Sequence, residues 1–163
     1  MKTNLNWRKK FLSVLSIGLL VGSVVFTSCS KDNEDNNNNG MYTVSGNSSG
    51  SQVSPSTTST ATGTLTGSYN ANTNVMQYTI NWNTLTAAAS GVELRGPAST
   101  GANGVLVSGL TITTPGVTGT ASGSVTLTES QEADLLAGKY YYTILTATNI
   151  AGEIRGQITA TPQ

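Results

Sequence analysis

Two tetrapeptides, Glu93-Leu94-Arg95-Gly96 and Glu153-Ile154-Arg155-Gly156, each place a carboxylate and a guanidinium two residues apart in the chain. In a β-strand, the charged pair of each would share one face while Leu94 and Ile154 point to the other. Two carboxylates from separate strands can flank a glycosidic bond and hydrolyse it, provided one of them has a raised pKa. An arginine on the same face has the opposite effect and keeps its neighbour ionised. The pattern therefore predicts a charge network of Glu93, Arg95, Glu153 and Arg155 on one face, with catalysis as the lesser reading.

Other chemistry is thinner. There is no histidine, and the single cysteine is Cys29, so the usual general base and the soft metal ligands are missing. Serine and threonine are abundant, but none has an imidazole to activate it, and Lys139 is the one lysine beyond residue 31. No cofactor and no metal site is expected. Glu129, Glu132 and Asp134 lack the spacing of a calcium loop and read as a solvated helix end. Tyr140-Tyr141-Tyr142 offers a stacking surface for sugars, although strand alternation buries either Tyr141 or its two neighbours.

Cys29 has a chemistry of its own. Lys2 to Lys10 is a basic stretch, Phe11 to Phe26 is nearly all apolar, and Phe26-Thr27-Ser28-Cys29 follows. The apolar run is short for a spanning helix of about 20 residues and suits an export signal. Small residues just before a cysteine match the lipobox, in which the thiol is acylated and the chain is cut before it. Residues 1–28 are thus read as a lipoprotein signal helix and Cys29 as the lipidated N-terminus. A free or disulfide-bonded thiol and an uncleaved membrane anchor are the competing readings. Residues 29–40 carry a Lys-acid run and four consecutive asparagines without apolar periodicity, the composition of a disordered tether. The Lys-acid run resembles the surface-export signal of some Gram-negative lipoproteins, which favours outer-membrane display at the cell surface over a spacer facing the periplasm.

Once the signal is gone, four basic residues (Lys31, Arg95, Lys139 and Arg155) stand against eight acidic ones, a net charge of −4. No basic stripe exists, so nucleic acid is not an expected partner. The expected partners are the membrane, through the anchor, and a glycan or protein ligand.

Residues 41–163 read as one all-β domain. Met76, Tyr78, Ile80 and Trp82 alternate with Val75, Gln77, Thr79 and Asn81, the period of a half-buried strand. A strand over 61–69 precedes it, joined by the hairpin loop Asn70-Ala71-Asn72-Thr73-Asn74. Further strands are predicted over 42–46, 91–96, 105–110, 122–128, 140–147 and 153–160. One helical turn is predicted over 129–137, capped by Thr128 or Ser130, with Leu135 and Leu136 inward. Seven or eight short strands with turns between them predict an antiparallel two-sheet β-sandwich. Trp82, Tyr78, Ile80, Leu94, Ile144 and Ile154 are its expected core.

The C-terminal stretch Gly138-Lys139-Tyr140-Tyr141-Tyr142-Thr143-Ile144-Leu145-Thr146, followed by Gly152-Glu153-Ile154-Arg155-Gly156-Gln157-Ile158, closely resembles the end of the CHRD domain. That domain occurs in the developmental protein chordin and in many microbial secreted proteins. Ser51-Gln52-Val53-Ser54-Pro55 falls where the family has a Glu-Val-Pro-Pro-like segment, and Gly96-Pro97-Ala98 matches its Gly-Pro-Ala. The resemblance covers about residues 42–160 and implies a β-sandwich. It also implies His-x-His before Gly-Pro-Ala and a further histidine on the aromatic strand. Here those positions hold Glu93, Arg95 and Leu145, with Thr143 where asparagine is usual, so nothing the histidines do carries over; Thr143 joins Glu93, Arg95, Glu153 and Arg155 on the expected charged face. The function expected is a membrane-anchored, surface-exposed lipoprotein bearing a non-catalytic structural, adhesive or ligand-binding module. The alternative is a carbohydrate-active enzyme using Glu93 and Glu153; a cleft holding both carboxylates free of arginine favours the enzyme, and a flat charged face the module.

Overall fold

The computed structural model describes residues 39–163. Their strands are β1 Met41–Ser49, β2 Thr62–Asn70, β3 Val75–Asn83, β4 Ala89–Arg95, β5 Leu106–Leu110, β6 Ile112–Thr114, β7 Gly119–Thr126, β8 Tyr141–Thr146, β9 Ile154–Gln157 and β10 Thr159–Pro162. Helix α1, Glu129–Leu136, lies between β7 and β8, and a single 3-10 turn, Gly50–Gln52, follows β1.

Local alternation explains these strands. In β3, Met76, Tyr78, Ile80 and Trp82 are buried while Gln77, Thr79, Asn81 and Asn83 are exposed. All six residues expected in the core are buried there, joined by Val44, Leu65, Tyr69, Leu135, Tyr142 and Ile158. The β2–β3 hairpin closes as its asparagines predict, with Asn74 in the left-handed region at φ 57. Thr128 caps α1 in a reciprocal box with Gln131, and Leu135 of the helix is fully buried. Leu136 is only partly buried against the core.

The two separate sheets expected from the sequence do not form. All pairings are antiparallel and belong to one ten-stranded sheet, in the order β5-β4-β8-β9-β1-β2-β3-β7-β6, with β10 also beside β1. Thr111 alone separates β5 from β6, yet these strands stand at opposite ends of that order. One bent stretch therefore pairs with β4 through its first half and with β7 through its second, and nearly closes the sheet into a barrel. The bend is held from both sides: Thr111 N donates to Tyr78 Oη at 3.0 Å, and Ser122 N donates to Thr111 O at 3.0 Å. β6 was not foreseen, because Ile112 to Thr114 is too short to display a period. The strand expected over 153–160 divides at Ile158, whose N–H turns to Tyr140 O at 2.8 Å.

The signal segment, the lipidation position Cys29 and the tether as far as residue 38 lie outside the described residues. Asn39 and Gly40 are tied to the hairpin loop: Asn72 Nδ2 donates to Asn39 O at 2.8 Å, and Ala71 N to Gly40 O at 2.7 Å. Among the described residues no helix is long and apolar enough to cross a membrane.

Candidate binding groove

The side chains between Leu94, Tyr142, Ile144 and Ile154 point away from the core, onto the outer face of β4, β8 and β9. Register sets them in two rows. Glu93 pairs with Thr143, which pairs with Arg155; Arg95 pairs with Tyr141, which pairs with Gln157. On an ordinary outer face these residues would be solvated. Here Tyr141, Thr143 and Arg155 are at most 3% exposed, because loops fold over them.

Arg155 builds one wall. Its guanidinium donates to Ala102 O at 2.6 Å, Ser99 O at 3.2 Å and Gln157 Oε1 at 3.1 Å, and lies 3.5 Å above the centre of the Tyr141 ring. Tyr141 Oη accepts from Gly104 N at 3.0 Å, and Gln157 Nε2 donates to Ala98 O at 3.0 Å. The 97–104 loop is thereby held at four points. Asn103 Nδ2 then reaches Ser54 O at 2.8 Å, which joins this loop to the segment after β1. Between the walls lies a groove of about 370 Å³, lined by Glu93, Arg95, Thr143, Leu145 and Arg155 together with Val53, Ser54, Ile150 and Ala151.

The repeated Arg-Gly has a packing cause. A Cβ on Gly156 would stand 2.7 Å from the Tyr142 ring and 2.8 Å from Asn47 O, and one on Gly96, at φ 152, would enter the Tyr140 ring. Each glycine lets a β-strand end lie against a tyrosine that a larger residue would displace.

Four of the five residues expected on the charged face line this groove: Glu93, Arg95, Thr143 and Arg155. Glu153 does not join them. Its N–H donates to Ile144 O at 2.7 Å, although Ile144 is already the partner of Ile154. Glu153 and Ile154 thus both oppose Ile144, and this extra residue breaks the alternation that would have put Glu153 beside Arg155. Gly152, at φ 124, makes the bend. The Glu153 side chain is fully buried and accepts from Ser59 Oγ at 2.7 Å, Thr86 N at 2.8 Å, Thr86 Oγ1 at 2.8 Å and Thr146 Oγ1 at 2.9 Å. Burial pushes this carboxyl up, but the hydrogen bonds outweigh it and hold its pKa below the ordinary value.

The four-membered charge network is therefore replaced by two separate arrangements. Glu93 Oε2 lies 3.5 Å from Arg95 Nε, the one ion pair in the groove, and both side chains are partly exposed. Arg155 has neutral acceptors as its hydrogen-bond partners, and burial lowers its pKa while Tyr141 acts in the other direction. The paired carboxylates of the hydrolytic alternative are likewise apart, one in the groove and one buried outside it. The face that holds Glu93 is concave, not flat.

All three tyrosines of the aromatic run are buried, Tyr140 and Tyr142 on the core side and Tyr141 under Arg155, so the expected stacking surface is covered. Glu132 accepts from Tyr69 Oη at 2.8 Å, and Asp134 pairs with Lys139 at 3.0 Å. Among the described residues no group of three or more metal-ligating side chains gathers. One carboxylate beside a guanidinium and a leucine, at the positions where histidines would stand, does not fit a transition metal.

Val53, Ser54, Asn103, Gly104, Ile150 and Ala151 line the groove without a residue type or spacing that marks them for it in the sequence. Part of this wall carries a sequence signal: Ser51–Pro55 and Gly96-Pro97-Ala98 are both family landmarks, and each opens a loop that encloses the groove.

An antiparallel β domain with a loop-walled groove on its outer face has the build of a structural or binding-type module. The family model of the CHRD domain matches residues 44–158, and the chain belongs to the CHRD domain family. Domains of this family are generally non-catalytic modules of the structural or binding type. No curated protein and no solved structure matches the chain.

Proposed function

We propose that this protein is a lipid-anchored lipoprotein displayed at the outer surface of the cell, whose CHRD domain captures a ligand in the β4–β8–β9 groove without chemically altering it. One observation carries the binding reading: Glu93, Arg95, Thr143 and Leu145, the family's histidine and asparagine positions, all line a single concave site. The anchor rests on the residues before and including Cys29. Against hydrolysis stands Glu153, whose carboxylate is fully committed to Ser59, Thr86 and Thr146.

Two measurements test this. Cys29→Ala should move the protein from the membrane fraction to the soluble one, since each buried acyl methylene contributes about 0.8 kcal/mol; protease added to intact cells should digest the wild-type domain. Leu145→Trp should fill the groove and abolish capture of whichever immobilised polysaccharide or polypeptide the wild type retains. Retention unchanged by Leu145→Trp would remove the groove from the function.

A further inference from the structure

We propose that the ligand is a carboxylated glycan, its carboxylate on Arg95 and its sugar hydroxyls along the adjoining hydroxyl-lined trough; this rests on the groove being the binding site. A second concavity of about 670 Å³ adjoins the groove, and the two share Val53, Ser54, Ile150 and Ala151 as a common wall. Their ends differ in chemistry: guanidinium groups line one and neutral hydroxyls the other.

At the first end there are donors to spare. Among the described residues, the Arg95 guanidinium donates no hydrogen bond: its one polar contact is the 3.5 Å approach to Glu93, and its Nε is buried without a hydrogen-bond partner. A guanidinium fork in a concave site matches a carboxylate in shape and charge. Glu93 offsets only one of the two guanidiniums lining the groove, since Arg155 faces neutral acceptors. The groove is thus locally cationic on a domain that is acidic overall.

At the second end the lining is neutral and rich in hydroxyls. The trough is lined by Ser54, Ser56, Thr58, Ser59, Thr86 and Thr148 among others, and no charged side chain lines it. Glu153 lies beneath and takes the protons of Ser59 and Thr86. Ser59 Oγ also accepts from Ala61 N, and Thr86 Oγ1 is bonded to Thr148 Oγ1, so these two oxygens suit ligand O–H donors, while Ser54, Ser56, Thr58 and Asn149 beside them can donate as well as accept, as sugar hydroxyls do. A molecule with a carboxylate at one end and a run of hydroxyls at the other meets both demands. Acidic sugars are such molecules. An acidic peptide meets the first demand and supplies few hydroxyls for the second.

The test uses the full-length lipoprotein in detergent, with short oligogalacturonates, their fully methyl-esterified forms and oligoglutamate as probes. The acid form should bind about tenfold or more tightly than the ester, the loss of one charge-assisted contact. Its affinity should fall with added salt. Arg95→Gln should erase the preference for acid over ester, Arg95→Lys should restore part of it, and neither should alter the melting temperature materially. Equal binding of acid and ester, or failure of the acid form to bind, overturns the proposal. So does oligoglutamate binding more tightly than oligogalacturonate. In any of these cases Leu145→Trp separates the causes: if it still abolishes capture of another polymer, the groove stands and only the ligand class falls. If capture of every polymer is indifferent to it, the groove reading falls as well.

Discussion

The outer face of β1, β2, β3 and β7 and the outer face of β4, β8 and β9 are made by the same sheet, yet they differ in almost every property. On the first, register aligns Thr43–Ser68–Gln77–Ser124, Ser45–Thr66–Thr79–Ser122 and Asn47–Thr64–Asn81–Thr120 in rows without charge or large apolar residues. On the second, the rows are Glu93–Thr143–Arg155 and Arg95–Tyr141–Gln157. The hairpin loop between β2 and β3 is short and leaves the neutral face open. The loops around β4, β8 and β9 are long, and Arg155 fastens one of them over the face. The strands supply the same scaffold in both places; a site arises where buried charge and long loops coincide.

That difference predicts where the molecule is vulnerable. The largest effect is expected at Glu153. Glu153→Ala leaves five donors, from Ser59, Thr86 (two), Thr146 and Asn149, without their acceptor, at about 1–3 kcal/mol for each one that stays buried, so the domain should lose more than about 3 kcal/mol in denaturant unfolding. Glu153→Gln, which keeps part of the acceptor set, should lose less. The same carboxyl gives a pH signature. Its folded pKa lies below the ordinary 4.5, so its contribution is fully present above that value and is lost as pH falls through the lower folded value. The melting temperature of the wild type should therefore fall more steeply in acid than that of Glu153→Gln. Parallel curves would mean that Glu153 is not ionised in the folded domain.

A smaller loss is expected at Arg155. Arg155→Ala removes charge-assisted bonds to an exposed loop whose carbonyls can turn to water, so roughly 1.5–3 kcal/mol is expected. Its distinctive consequence is local: hydrogen exchange in residues 97–104 should accelerate more than elsewhere. Glu93 and Arg155 are separated by β8 and make no ion pair, so the double variant Glu93→Ala/Arg155→Ala should be additive within about 0.5 kcal/mol. A coupling well above that would restore the four-membered network.

The smallest effects sharpen the contrast from the other side. Glu93→Gln removes a partly exposed pair and should change stability by about 0–1 kcal/mol. It should raise the affinity for an acidic ligand, since it deletes the groove's own carboxylate. Thr66→Ala with Thr79→Ala on the neutral face should cost about 0.2–1 kcal/mol as a cross-strand pair and leave ligand capture unchanged. Loss of capture in that variant would move the site to the other face.

What the sequence by itself determined was local. Alternation gave the strands, their inward residues and the core, because a side chain's face depends only on its position in its own strand. The asparagine loop, a helix cap at Thr128 or Ser130 and the Glu93–Arg95 pair of β4 were legible for the same reason, while the reciprocal Thr128–Gln131 box came from the structure. Closure of the sheet was not, since a separate pair of sheets and a nearly closed barrel demand the same alternation. They differ only in whether the stretch around Thr111 turns from β4 to β7. The fate of Glu153 was equally hidden: one extra residue opposite Ile144 sends it beneath the trough while Arg155, two positions on, stays in the groove. The groove itself belongs to the tertiary structure, because its walls come from loops far apart in the chain that meet only once Arg155, Gln157 and Asn103 find their backbone acceptors.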